Sequence, residues 1–288
     1  MQMRFRIFAL MLLLVFMLAC AYAEENAGIR HYLLLGEDGY AEKVTDDART
    51  DTVVLLSLDE TYNRVIVTSI LRDSGIVNPR GNETKVNLLY KYFGFDGISE
   101  CIGRELGVRI EGCVLVNFEH VKPVIDALGG VDLEIDINEF LSIRKILLGK
   151  DPNMPKGPGK VHMTGRIALA YMRDRQSGSG DFSRTKRQRK VVSQLFSKCR
   201  NLSLQQLMAI YNQVSGGMKM SLSMPQLLSA FRSGYELLAN GANFVEFRVP
   251  QDGTYSYKTI GSASTLEVRW KTNRDRFHTL LDSPTEEE

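Results

Sequence analysis

Two short stretches of this chain set arginines and aspartates at spacings suited to gripping a phosphorylated ligand. In Tyr171-Met172-Arg173-Asp174-Arg175 two guanidinium groups alternate. In Gly180-Asp181-Phe182-Ser183-Arg184-Thr185-Lys186-Arg187-Gln188, Asp181, Arg184 and Arg187 recur at every third position. On a helix beginning near Asp181 those three side chains project to one side, and Asp181 suits the N-cap. An extended segment through Arg173 and Arg175 would point both the same way. Three more segments carry charge: Gly36-Glu37-Asp38, Asp47-Ala48-Arg49-Thr50-Asp51-Thr52, and Ser69-Ile70-Leu71-Arg72-Asp73-Ser74. Planar guanidinium forks bind phosphate oxygens bidentately. A pair of carboxylates can hold an oxygen-seeking divalent ion such as Mg²⁺, which bridges phosphates and keeps several of its waters.

Taken singly, each element has a plainer explanation. Asp181 is a good N-cap by itself, Arg72-Asp73 reads as a surface ion pair worth little, and Arg184–Lys190 is the charge run of a solvated helix face. Their conjunction at strand ends and helix starts favours an anionic-ligand site, because ligands of open α/β sheets lie in the crevice at strand ends.

The elements that must position these residues follow from pattern. His31–Leu35 reads as a buried strand, and Thr52–Leu58 with Arg64–Ile70 as a β-branched hairpin. Ile98–Leu106 has helical spacing and ends at Gly107. Cys113–Asn117 is a strand, Glu119–Leu128 a helix closed by Gly129-Gly130, and Val131–Ile135 an alternating strand. Asp151–Gly159 is a Pro/Gly loop. Helices follow through Tyr171, over Phe182–Lys198, Leu204–Val214 and Pro225–Leu238. Then come a strand at Asn243–Val249 that rejoins the sheet and a last helix over Leu266–Leu281. Interleaved strands and helices make an α/β protein, a single domain with a central mixed β-sheet flanked by helices. Residues 28–282 form that domain, with the motifs in 29–200, helices and a strand in 201–282, and a polar tail at 283–288.

Composition narrows the classes. With 288 residues, 44% hydrophobic, there is ample material for a core, so a disordered chain is excluded. The 24 Gly and 8 Pro show no fibrous period, and four Cys are too few for a disulfide-stapled miniprotein. Met1–Arg6 carries two arginines, and Ile7–Ala23 is free of charge. This is a signal segment or membrane anchor, with Ala21-Tyr22-Ala23 as a small-x-small cleavage site and a poor lipobox-like string at Met17–Cys20. Either way the protein is extracytoplasmic, secreted or membrane-anchored in the cell envelope. Without Arg4 and Arg6 the 36 basic residues become 34 against 34 acids, so a nucleic-acid partner is disfavoured. Cys101 and Cys113 either pair or stay buried thiols. No Cys-x-x-Cys exists and the four His are scattered, which argues against a zinc site.

The ordered set LLLGED, DARTDTVVLLSL, VIVTSILRDS, KVNLLY, VNFEHVKPVIDALGGVDLEI, GRIALAYMRDR and GDFSRTKRQRKVV resembles the LytR–CpsA–Psr family of cell-wall phosphotransferases over roughly Ile29–Arg200. That resemblance implies an enzyme taking a glycopolymer (teichoic acid, capsular polysaccharide or similar) from a polyprenyl-pyrophosphate carrier to peptidoglycan, forming a phosphodiester at the membrane surface. It also implies a groove that holds the lipid between sheet and helices. On matching positions, Asp38 and Asp51 correspond to metal-associated acids for Mg²⁺ or Mn²⁺. Arg72, Arg173, Arg175, Arg184 and Arg187 correspond to phosphate-binding arginines, and Gln188 to the glutamine that follows. Arg49, Asp73, Lys85 and Asn87 match other motif positions. Arg72 would stabilise charge in the transition state, and Asp51 and Asp73 are both candidates for the base. Leu71, Ser74 and Leu88 depart from the family's common residues, as does Gly39-Tyr40 after Asp38, where a small residue and Arg are common. These departures bear on substrate choice. Rival readings are a polyprenyl-pyrophosphate hydrolase and a non-catalytic carrier-binding or regulatory protein.

Overall fold

A computed structural model of the chain describes residues 28–37, 49–174, 177–178, 180–214, 217–260 and 263–283. The proposed signal segment, Asp38 and Arg175 lie outside them. The first three strands are β1 (Ile29–Glu37), β2 (Thr50–Asp59) and β3 (Arg64–Ile70). All seven residues of β3 are buried, as expected of an interior strand rich in Val, Ile and Thr. β2 and β3 pair antiparallel with Asp59 opposite Arg64, and the Asp59 carboxylate accepts the amides of Thr61 and Tyr62 to close the turn.

The central sheet has six strands in the order β10-β3-β2-β1-β6-β9, where β6 is Ile110–Asn117, β9 Lys219–Met220 and β10 Asn243–Val249. β6 runs parallel to β1, and β10 parallel to β3, so the late strand does rejoin the sheet. Alternation along β2 divides its side chains between two layers. Val53 and Leu55 face a core with α1 (Val86–Leu106) and α8 (Trp270–Asp282), through Leu89, Ile98, Ile102 and Phe277. Val54 and Leu58 face the opposite layer, which holds α5 (Asp181–Cys199) and α7 (Met224–Ala239).

A second apolar cluster joins α2 (Phe118–Ala127), β7 (Val131–Ile135), α3 (Ile137–Ile146), β8 (Gly159–Met163), α4 (Gly165–Arg173) and α5. β7 pairs with β8 rather than with the central sheet. α6 (Leu204–Val214) and the hairpins β4 (Gly75–Val77) with β5 (Glu83–Lys85) and β11 (Tyr255–Ile260) with β12 (Ala263–Val268) complete the described elements.

Several expectations are corrected. The helix expected at Ile98 starts at Val86, running through a break at Gly94, whose φ of 63° only glycine adopts freely. The last helix does not begin at Leu266. That residue belongs to β12, where its amide bonds the Asp73 carbonyl at 2.9 Å, and the helix starts at Trp270. Arg173 is the last residue of a helix, not part of an extended segment. Gly180 takes the cap position of α5, so Asp181 is its first helical residue. Cys101, Cys113 and Cys199 are free thiols; Cys113 instead lies 3.0 Å from the Ser99 hydroxyl, and burial pushes its thiol up to about 11.

One buried cation locks the C-terminal helix to the sheet. Arg64 is fully buried, with Nε 2.6 Å from the Asp59 carboxylate, and its two Nη groups donate to the carbonyls of Leu280, Leu281 and Ser283. A guanidinium suits the negative end of a helix.

Candidate active site

Strand register gathers the charged residues at one edge of the sheet. Val53 stands opposite Ile70, so Asp51 and Arg72, each two residues beyond, emerge side by side. Arg72 Nη1 lies 2.5 Å from Asp51 Oδ2, and Arg72 Nε lies 3.5 Å from Asp73 Oδ2. Asp73 Oδ1 in turn accepts from Lys85 Nζ at 2.8 Å. The Asn87 amide bonds the Arg72 carbonyl at 3.1 Å, seating the first turn of α1 against the loop that carries Arg72.

α5 brings two more groups to the same place. Arg184 Nη2 donates to the Asp51 carbonyl at 2.7 Å, and its Nη1 lies 3.7 Å from the Asp51 carboxylate. One turn later, Gln188 Nε2 donates to Thr52 Oγ1 at 3.1 Å. Arg184 and Gln188 are four apart and share a helix face. Arg187 is only three residues past Arg184, yet it serves a different partner set. It donates to the Asp174 carbonyl and to Ser177 Oγ, with the carboxylates of Asp174 and Glu139 at 3.6 and 3.7 Å. It is 2% exposed and ties α5 to the ends of α3 and α4 instead of facing the cavity.

Beside this cluster a cavity of about 630 Å³ opens between the sheet and the helical layer. The sheet contributes Leu34, Val54, Leu56, Val67 and Val116; the helices contribute Val121, Val124, Met172, Val191, Val192 and Leu195. Its polar lining includes Glu37, Asp51 and Asn117 at strand ends, Arg173 at the end of α4, and Arg184, Gln188 and Arg189 along the first half of α5. Register explains the clustering: Gly36 pairs with Thr52 and Glu37 with Asn117, so the end of β1, the start of β2 and the end of β6 share one edge. A smaller hollow adjoins it, lined by Arg72, Ser69 and Thr185 together with Asp51 and Arg184. The result is an apolar slot whose mouth carries guanidinium groups and carboxylates, a shape for an amphiphile with an anionic head.

Of the residues expected from sequence, Asp51, Arg72, Arg173, Arg184 and Gln188 meet at this mouth. Asp73 and Lys85 stand next to Arg72, and Asn87 supports its loop. Arg49 is exposed just before β2, and Arg187 is buried away from the cavity. Asn117 joins the lining without having been expected, and Glu37 joins it from the charged segment Gly36-Glu37-Asp38, where it had been given no role; both stand at the ends of two neighbouring parallel strands. Among the described residues no three His, Cys, Asp or Glu side chains converge as a metal-binding group. Asp51 nonetheless offers a hard carboxylate at the mouth, and one carboxylate with ligand phosphates is an ordinary Mg²⁺ environment.

A family model described as the LytR_cpsA_psr family matches residues 21–274. The teichoic acid transferase TagU of Bacillus mycoides is 30% identical over 257 residues, covering 86% of this chain and 78% of that protein. Among solved structures, protein gbs0355 from Streptococcus agalactiae aligns with a TM-score of 0.73 at 21% identity, covering 93% of each chain. The structure of YwtF (TagT) of Bacillus subtilis with bound octaprenyl pyrophosphate lipid aligns with a TM-score of 0.66 at 21% identity, over 88% of this chain and 89% of that one.

Proposed function

The chain belongs to the LytR–CpsA–Psr family, and from that membership and the geometry of its cavity we propose that it transfers a glycopolymer from a polyprenyl-pyrophosphate carrier to peptidoglycan. The observation that carries this reading is the Asp51–Arg72–Arg184 cluster opening onto a 630 Å³ apolar cavity. The curated relative is a transferase of teichoic acid to peptidoglycan, and a fold neighbour holds octaprenyl pyrophosphate. Teichoic acid is accordingly the first polymer to test. The charge-free stretch Ile7–Ala23 supports work outside the cytoplasm, at the cell envelope. Among the described residues no helix is long and apolar enough to cross a membrane.

In this reading the prenyl tail fills the slot and the diphosphate lies at the mouth. Arg72, Arg173 and Arg184 hold its oxygens. An acceptor sugar hydroxyl attacks the phosphorus that bears the glycopolymer; a new P–O bond forms, the bridging P–O bond breaks, and its electron pair leaves with polyprenyl phosphate. The hydroxyl proton passes to a carboxylate, with Asp51 and Asp73 as the candidates. Catalysis is then positioning plus stabilisation of charge that grows in the transition state. A divalent ion such as Mg²⁺ or Mn²⁺, held by Asp51 with Asp38, would supply further charge neutralisation on the diphosphate.

The test is a reconstituted reaction of the full chain with a lipid-pyrophosphate-linked glycan and peptidoglycan, its products identified by mass. A glycan–peptidoglycan phosphodiester with released polyprenyl phosphate is expected. Release of glycan phosphate without any need for acceptor would replace transfer by hydrolysis. Titration with EDTA and then Mg²⁺ reads the metal requirement, and Asp51→Asn should raise the Mg²⁺ concentration needed for whatever activity remains.

A further inference from the structure

Between Ile137 and Leu148 the chain places large apolar side chains where water reaches them. Ile137 is 51% exposed, Leu141 53%, Ile146 44% and Leu148 73%. α3 turns Phe140 and Ile143 into the core, so Ile137 and Leu141, four residues apart, form an outward ridge. Just past the helix Leu148 has a φ of 52°, the left-handed region that bulky side chains rarely adopt. A hydrogen-bonded turn holds it there: the Leu148 amide bonds the Lys145 carbonyl at 3.1 Å and the Gly149 amide bonds the Arg144 carbonyl at 2.8 Å. Single exposed apolar residues need no explanation, whereas a cluster within one segment marks an interaction surface.

Two further observations say what covers it. Arg144, Lys145 and Lys150 are exposed here against one exposed acid at the edge, the N-cap Asp136, while Glu139 is buried. Ile146, the last residue of α3, also lines the 630 Å³ cavity, so this exposed apolar segment and the wall of the tail slot meet at one residue.

We propose that α3 and the turn after it lie on an anionic bilayer surface. The apolar side chains enter the acyl boundary, and Arg144 and Lys150 reach the head groups. This is the arrangement of an interfacial amphipathic helix, with long cations extending to the polar layer. It lets a prenyl tail pass between membrane and cavity without crossing water. The proposal rests on the donor being lipid-linked, as argued above.

The experiment places a reporter at the ridge in the full chain. Leu148→Trp, and Leu141→Trp in case position 148 does not tolerate the indole, are mixed with phosphatidylglycerol-containing vesicles with and without brominated acyl chains. Native Trp270 gives the background, and Tyr257→Trp, at a residue 73% exposed on β11, is the control. A blue shift with bromolipid quenching at the ridge and none at position 257 is expected. Emission that stays solvent-like on bound vesicles overturns the proposal, as does a blue shift without quenching, which would mean contact with a second copy. Separately, Leu141→Ser with Leu148→Ser should slow transfer from a vesicle-borne donor about tenfold or more, and leave a short-chain soluble donor unaffected. Equal slowing with both donors also overturns it. Because the fluorescence does not depend on turnover, failure of the transferase reading would be seen separately.

Discussion

Arg72 and Asp51 meet across two adjacent strands, guanidinium Nη1 to carboxylate Oδ2, at 2.5 Å. Register alone delivers them to the same spot, because the start of β2 and the end of β3 are neighbours in an antiparallel pair. Both side chains keep some contact with solvent, at 19% and 14% exposure, so the pair can be reached by a ligand at the mouth.

Arg72→Ala should therefore fold and lose transfer. A fall in kcat of about 10²–10³ is expected if the group acts on charge that appears only in the transition state. Arg72→Lys should recover only part of the rate, since an ammonium cannot offer the planar fork. Turnover of a lipid-pyrophosphate donor, read beside a thermal melt, checks both; full activity in the alanine variant would remove Arg72 from the mechanism.

Arg187 behaves oppositely. Its partner Asp174 has a side chain only 1% exposed, and Arg187→Met would leave that carboxylate buried without its cation. A stability loss of about 3–5 kcal/mol is expected in chemical denaturation. An unchanged denaturation midpoint with lost activity would instead assign Arg187 to the ligand.

The cavity can be shortened without touching the charges. Val121, on α2, lines it and is half-buried. Val121→Trp should raise KM for long-chain prenyl donors and spare those with one or two isoprene units, because a filled slot rejects only tails that reach it. Equal KM changes for both donor lengths would mean that the tail lies elsewhere.

His31 makes stability depend on pH. Its Nδ1 lies 2.8 Å from Ser57 Oγ, and burial, aided by His278 and opposed by Asp59, lowers its pKa from 6.5 to about 4. Above pH 6.5 both folded and unfolded imidazoles are neutral and the term is flat. Between about 6.5 and 4 the unfolded chain takes up a proton that the folded one refuses, so stability falls as pH drops. The loss amounts to roughly 3 kcal/mol across that window. Denaturation of His31→Asn and of the native chain at pH 7 and pH 4.5 should show a smaller fall in the variant. Parallel profiles would exclude the histidine.

Much of this was legible in the residues. The hairpin of β2 and β3 announced itself through β-branched alternation. α6 and β10 fell at their expected boundaries, because a strong periodicity was bounded by turn residues on both sides. The meeting of Asp51, Arg72 and Arg184 followed from motif order and strand-end placement. Less legible were contacts decided by tertiary structure. Leu266 could have continued a helix, but its amide is held by the Asp73 carbonyl, and the chain there is a strand. Arg187 shares its helix turn with Arg184, yet the carboxylates of Asp174 and Glu139 draw it inward, a preference that no local spacing encodes. Val131–Ile135 alternates as a sheet strand should, but its partner is the distant Gly159–Met163, where only Val161 and Met163 are apolar and the segment runs on from a Pro/Gly loop.

The guanidinium of Arg64 has a consequence for shortening the protein. It spends its donors on Asp59 and on three carbonyls at the end of α8. Clipping the chain before Leu280 would leave a permanent positive charge in a dry interior without those three carbonyls. The final turn of that helix is thus a structural keystone for the strand on the far side of the core, and deletions there should be felt at the hairpin that delivers Arg72.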